Sequence, residues 1–177
     1  MQLRGVVLVE GSSDRRAVET LARRRGRSLE AEGVAVVPMG GFGNLPRLLE
    51  QYRGVRLAGL YDVGEERHFL RALRCDDRGE LERNGFYACT RDLEDELTRA
   101  VGADGMQRVL AEQGELRAFR TYQKQPAHRS RPLEEQLHGF MWNRKQRYAV
   151  VLVDALDLER VPRPLDRVLA HVQPIEP

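Results

Sequence analysis

Cysteine and lysine are nearly missing from this chain. Its two cysteines, Cys75 and Cys89, stand far apart, so neither a zinc-type ligand pair nor a disulfide framework is indicated, and both are expected as reduced thiols. No segment approaches the roughly 18 apolar residues of a membrane span. The start, Met1-Gln2-Leu3-Arg4, has no signal-peptide pattern, so a cytoplasmic protein without a membrane partner is expected by elimination. There is no internal repeat and no low-complexity tract. Of the 29 basic residues only Lys124 and Lys145 are lysines, which leaves 27 arginines and makes each lysine worth examining. Arginine enrichment fits nucleic-acid contact, but genome base composition produces the same bias and is given the larger share. The net charge of +2 decides nothing further.

What is present begins with an apolar run. A chain of 177 residues with 41% hydrophobic content suffices for one core with a helical appendage. Val6-Val7-Leu8-Val9 is short, β-branched and unalternating, which predicts a strand buried on both faces of a parallel sheet. It ends in Glu10 and the turn Gly11-Ser12-Ser13-Asp14. From Arg15 to Arg25, Ala17, Val18, Leu21 and Ala22 fall at helical spacing, so Asp14 sits near a helix start and shares a site with Glu10. The plainer reading of Asp14 is a helix cap, and the two readings stand about even.

The same grammar repeats. A strand is expected at Val34 to Val37, followed by a glycine-rich turn (Gly40, Gly41, Gly43) and a helix from Leu45 to Tyr52. A third strand, Arg56 to Asp62, again finishes on a carboxylate. A helix through Arg74 and a polar loop from Cys75 to Asn84 lead to a fourth strand, Phe86 to Cys89, and then to the acidic turn Asp92 to Glu96. Helices are predicted thereafter at Leu93 to Val101, Gly105 to Gln113, Leu116 to Tyr122, Leu133 to Trp142, Gln146 to Leu156 and Pro164 to Val172. Domains follow as 1–100 for the sheet unit, 101–172 for a helical extension packed on it, and 173–177 for a loose tail.

In a parallel sheet, strand ends of this kind lie along one edge, which gathers Glu10, Asp62 and the Asp92 to Glu96 cluster. Unpaired carboxylates about 4 Å apart repel by roughly 4 kcal/mol at an effective dielectric near 20. Such a cluster calls for cations or raised pKa values. Oxygen-only ligands suit Mg2+ or Mn2+ rather than zinc, and that pairing leads to phosphoryl chemistry. Pairing of these carboxylates with the many arginines is the structural alternative.

Val-Glu-Gly-x-Ser-Asp at Val9 to Asp14, a strand ending in Asp62, and Asp-Leu-Glu at Asp92 to Glu94 resemble a TOPRIM domain. Asp14-Arg15 with Ala17-Val18-Glu19-Leu21-Ala22, the Gly40-Gly41 turn and the helical tail look most like the nuclease domain of the OLD (overcoming lysogenization defect) family. The resemblance spans residues 5–100 and more loosely runs to 156. It implies an α/β fold with a four-stranded parallel sheet flanked by helices, and one or two Mg2+ (or Mn2+) ions serving phosphodiester cleavage. Glu10 matches the family's metal-binding or general acid/base Glu, Asp14 its second acidic residue, and Asp62 the first Asp of an Asp-x-Asp pair. The second Asp is replaced by Gly64. Glu65 or Glu66 is left to supply the oxygen, with Glu66 preferred. Glu94 matches the acidic residue after the fourth strand, and Lys145, with Lys124 as the alternative, the lysine of the helical tail.

The function these residues imply is a Mg2+-dependent DNA nuclease, with Glu10 and Lys145 catalytic and Glu10, Asp14, Asp62, Glu66 and Glu94 binding metal. The alternative is a catalytically silent TOPRIM module partnering a separately encoded ATPase, because no G-x-x-x-x-G-K-S/T motif is present and the domain is expected to stand alone. Processing of structured RNA is a third option without its own signal. Arg129 and Arg131, or Arg144 and Arg147, are the candidates for DNA phosphates. His68 and His138 are expected on helix surfaces; Trp142, Phe140 and Met141, next to the basic corner, are placed in packing, with stacking on bases as the alternative.

Overall fold

The computed structural model describes residues 3–174. Four strands, β1 (Gly5–Val9), β2 (Val34–Pro38), β3 (Arg56–Asp62) and β4 (Phe86–Cys89), form one parallel sheet in the order β2-β1-β3-β4. In the register, Gly5 lies opposite both Val34 and Arg56, and Gly59 opposite Phe86. Every residue of β1 is buried, as an unalternating apolar run requires when both faces are covered. Its side chains alternate between two cores. Val7 and Val9 meet Ala17, Val18 and Leu21 of α1 (Ser12–Arg24), whereas Val6 and Leu8 join Leu45 and Leu48 of α2 (Leu45–Gln51) and Phe69 of α3 (Glu66–Leu73).

From β1 the chain moves outward to β2, then returns across β1 to reach β3. Right-handed crossovers in opposite directions put α1 and α2 on opposite faces. The reversal opens a crevice beyond the carboxyl ends of β1 and β3, the place where open α/β sheets take their ligands.

The later helices are α5 (Leu93–Glu112), α6 (Leu116–Gln123), α7 (Leu133–Met141), α8 (Lys145–Ala155) and α9 (Arg163–His171). They cover the α1 face: Leu97, Met106, Phe119, Leu137, Leu152 and Leu165 share a cluster with Val7 and Val9. The two segments predicted around residue 103 are the two helical stretches of α5, separated by the non-helical Gly102, whose φ of +73° favours glycine.

Arginines at the end of α1 and just beyond it hold this layer in place. Arg24 donates to the carbonyls of Val153 and Leu156 at 2.6 and 2.8 Å, and Arg27 to that of Leu169 at 2.8 Å. These carbonyls lie at the ends of α8 and α9, where the helix supplies no partner of its own. Part of the arginine content therefore has a purely structural use.

One expectation needs correction. The stretch Cys75 to Asn84 contains a helix, α4 (Arg78–Arg83), capped by Asp77, whose Oδ1 accepts from the Glu80 amide at 2.8 Å. Leu81 is its sole buried residue, so no periodicity announced it. At the start of the tail, the Gln173 carbonyl accepts from Arg56 at 2.9 Å. Residues 175–177, like Met1 and Gln2, lie outside the described residues. Among the described residues no helix is long and apolar enough to cross a membrane.

Candidate metal centre

Strand ends deliver the acidic groups. Glu10 follows β1 directly, Asp62 ends β3, and Asp92 and Glu94 open α5 just after β4. Asp14 comes from the first turn of α1, and Lys145 is the first residue of α8. These six line one cavity of about 460 Å³, with Gly11, Gly40 and Gly41 among its backbone walls. Gly40 and Gly41 have φ of +67° and +106°, and a Cβ on Gly41 would meet no atom within 4 Å, so backbone conformation rather than crowding calls for glycine. The Gly40 amide donates to the Glu10 carbonyl at 3.2 Å, which ties this turn to β1 and removes that amide from phosphate binding.

Asp14 fills both of the roles weighed for it. Its Oδ2 accepts from the Gly11 amide at 2.8 Å, as a capping carboxylate does, while the same side chain lines the cavity. Burial, then the charge of Glu94, pushes Asp14 up to about 7 against the opposing pull of the Gly11 amide. Burial, then the charges of Glu10 and Asp92, pushes Asp62 up to about 8. Arginine pairing does not relieve this crowding: Glu10, Asp14 and Asp62 take part in none of the ion pairs among the described residues.

The cation in the cavity is Lys145, with Nζ 3.2 Å from Glu94 Oε2 and 3.4 Å from Asp92 Oδ2. Burial pulls its pKa down, but Glu94 and Asp92 outweigh that and raise it. Asp92 is fully engaged. Oδ1 accepts from the Asp95 amide at 2.8 Å as an N-cap, and Oδ2 meets His138 Nε2 at 2.8 Å as well as Lys145. Burial alone would raise Asp92, yet the His138 hydrogen bond, the Asp95 amide and Lys145 together hold it below the usual carboxylate range. Glu94 is only 4% exposed, and its Oε1 is buried without a hydrogen-bond partner. Leaving a buried acceptor unsatisfied costs about 1–3 kcal/mol, so an oxygen in that state is available for a ligand.

The structure thus brings together Glu10, Asp14, Asp62, Glu94 and Lys145. It does not bring Glu66. That carboxylate accepts from Arg78 Nε at 2.5 Å and Tyr61 Oη at 3.2 Å, and it is not part of the cavity wall. Glu65, the option set second, is the nearer of the two: its charge acts on Asp62, and burial and then Glu10 raise it in turn. Two contributors were absent from the expected set, Asp92 and His138. His138 is not on a helix surface but 5% exposed, and its partner lies 46 positions away in sequence, so no local pattern announced it. His68 is on the surface, stacked on Phe42 at 4.0 Å. Lys124 is exposed and does not line the cavity. Arg144 and Arg147 both pair with Glu115, at 3.3 and 2.8 Å, whereas Arg129 and Arg131 are exposed and unpaired among the described residues.

An oxygen-only donor set, an orphaned carboxylate oxygen and uncompensated negative charge fit a hard divalent cation such as Mg2+ or Mn2+. Among the described residues no three potential ligands close into a ready-made cage. Mg2+ usually binds through one or two carboxylates and retains several waters, so an open wall of carboxylates is compatible with it.

Comparison with known proteins bears on the fold that carries these residues. A family model described as "Overcoming lysogenization defect protein-like, TOPRIM domain" matches residues 3–60. The C-terminal region of the Burkholderia pseudomallei OLD protein is similar in structure with a TM-score of 0.74, at 18% identity, over 97% of this chain and 98% of that one. The C-terminal region of the Xanthomonas campestris pv. campestris OLD protein is similar with a TM-score of 0.73, at 23% identity, over 96% and 92%. No curated protein matches the chain. The chain is thus similar in sequence to the OLD-like TOPRIM domain over residues 3–60, and over nearly its full length it has the fold of the C-terminal regions of these two OLD proteins.

Proposed function

We propose that the chain is a divalent-metal-dependent phosphodiesterase acting on DNA. The observation that carries this reading is the cavity at the sheet's switch point, where Glu10, Asp14, Asp62 and Glu94 face one another with Lys145 as the cation beside them. Those four carboxylates would hold one or two Mg2+ or Mn2+ ions. Ions bound there activate water and stabilise a leaving oxygen in displacement at phosphorus. Lys145, anchored by Asp92 and Glu94, neutralises charge on a non-bridging phosphate oxygen. Glu10 is the exposed member of the acidic set and so can exchange protons with water as general acid or base. Arg129 and Arg131 supply exposed positive charge for non-specific, salt-sensitive DNA contact. Arg144 and Arg147 have to leave Glu115 before they can do the same.

Gly64 favours a second reading, a silent module that binds metal or nucleic acid as partner of a separate ATPase, because the oxygen expected two residues after Asp62 is missing. Incubating plasmid and linear DNA with the protein and Mg2+ or Mn2+ separates the two. Cutting is expected, abolished by EDTA and reduced at least ~100-fold by Glu10→Gln, the scale of losing an acid/base group. A well-folded wild type that never cuts favours the silent module.

A further inference from the structure

We propose that Trp142 is a base-stacking platform beside the carboxylate cavity, and that the substrate is nucleic acid with an unpaired base at the phosphate to be cut. This rests on the phosphodiesterase reading and adds a substrate class to it.

Trp142 is the one tryptophan of the chain, and it is 57% exposed although its neighbours Phe140 and Met141 are buried in the core. Its ring lies tilted against that of His138, with centroids 5.9 Å apart, and this contact leaves more than half of the residue in solvent. Trp142 opens the short 3-10 turn Trp142–Arg144 that joins α7 to α8, three residues ahead of Lys145, so the two side chains lie one turn apart. The Lys145 ammonium lies 4.3 Å from the centre of the indole ring and 3.2 Å from Glu94 Oε2. One cation is therefore shared between an aromatic face and the wall of the acidic cavity. A phosphate drawn to Lys145 has the indole within reach of its own nucleotide.

Charge around the ring selects the occupant. Trp142, Arg144, Lys145, Gln146 and Arg147 form a shallow depression in which Glu115 is the single acid. Arg144 and Arg147 share Glu115, which leaves one positive charge in excess beside the ring; that suits a phosphate, and the flat apolar face next to it suits a base. In an intact duplex the faces of the bases are hidden by their neighbours, so only an unpaired or extruded base can stack here. Such stacking tolerates any base identity, which predicts a preference for strandedness rather than sequence. Self-association through the exposed indole is the competing use of this surface.

A single tryptophan makes the test direct. The full chain is titrated, in Ca2+, with a short single-stranded oligonucleotide, an abasic strand of the same length, and a blunt duplex, while tryptophan fluorescence is followed. Saturable quenching by the single strand, and little by the abasic strand or the duplex, is expected. Anisotropy of labelled strands should show Trp142→Ala weakening single-strand binding about tenfold, equivalent to ~1.4 kcal/mol, with duplex binding unchanged and Trp142→Phe largely restoring affinity. Circular dichroism establishes that each variant is folded. Equal quenching by the abasic strand, unchanged single-strand affinity in Trp142→Ala, or fluorescence that depends on protein concentration alone, as self-association gives, overturns the platform. Cleavage with Mg2+ is read separately. A protein that cuts DNA but ignores Trp142→Ala keeps the phosphodiesterase and loses the platform. One that stacks single strands but never cuts keeps the platform and loses the phosphodiesterase.

Discussion

Asp92 organises the candidate site at the scale of single residues without itself being free to bind a ligand. Its two oxygens hold the start of α5, the buried His138 and Lys145, and through them three separate helices meet at one carboxylate. His138 consequently acts as a positioning residue. Removing it frees one side of Asp92 and leaves Lys145 with Glu94 as its remaining carboxylate of fixed orientation. Supporting residues of this kind typically matter by 10–100-fold. His138→Ala is expected to lower metal-dependent cleavage by about that factor, with the loss of its ring contact to Trp142 read separately as a change in single-strand binding, and a cleavage rate equal to wild type would falsify the role. Asp14 illustrates a different economy. One carboxylate closes the first turn of α1 and faces the cavity, so cap and ligand, weighed as rivals in the sequence, coincide in one atom group.

At the scale of elements, three of the four strands, β1, β3 and β4, lead into an acid where the chain turns away from the sheet, and the turn after β3 is where this protein departs from the expected pattern. Gly64 lies in the short 3-10 turn Val63–Glu65, outside the left-handed region, and a Cβ added there would meet nothing within 4 Å. Sterics do not forbid a carboxylate at this position. Gly64→Asp is therefore expected to fold normally and to tighten Mn2+ binding several-fold, with cleavage at limiting metal rising in step. Calorimetric titration of Mn2+ into both proteins checks it, and unchanged affinity would mean that position 64 points no oxygen at the ion. The same scale explains what could be read in advance. Strands β1, β2 and β4 are unbroken apolar runs, β3 holds one between Arg56 and Asp62, and α1 shows a regular apolar stripe; those patterns are local and survived translation into structure. Helix α4 turns on a lone Leu81 beside Gly79, and so its sequence looks like a loop. His138 and Glu66 failed for a related reason. Burial of the first and diversion of the second to Arg78 depend on partners brought in by tertiary packing, which spacing along the chain does not encode.

For the whole molecule, the acidic cavity sets a stability profile. Asp14 and Asp62 titrate near 7 and 8 when folded, against about 4 in an unfolded chain. Between those values the folded form holds more protons than the unfolded one, so stability falls as pH rises through the window from ~4 to ~8. Asp92, held low, contributes in the opposite direction, but its share is lost only below ~4. In EDTA the melting temperature is expected to be higher at pH ~6 than at pH ~8.5. Divalent ions bind the ionised carboxylates and compete with protons, so Mg2+ should raise the melting temperature more at the higher pH, by a few degrees for a chain of this size. Scanning calorimetry at the two pH values decides it, and equal shifts would show that neither carboxylate is coupled to the ion.

Helix α8 is fastened at both ends to α1. Gln146 hydrogen-bonds Ser12 at its start, and Arg24 grips the carbonyls of Val153 and Leu156 at its close. Each residue of slippage along a helix turns a side chain through about 100°. The lysine's bearing on the acids is thus registered by the very helix that contributes Asp14, like a lock whose bolt and keeper are cut from one bar. Wear at the arginine end of that bar, remote from every acid in the cavity, would leave the fold standing and the chemistry out of alignment.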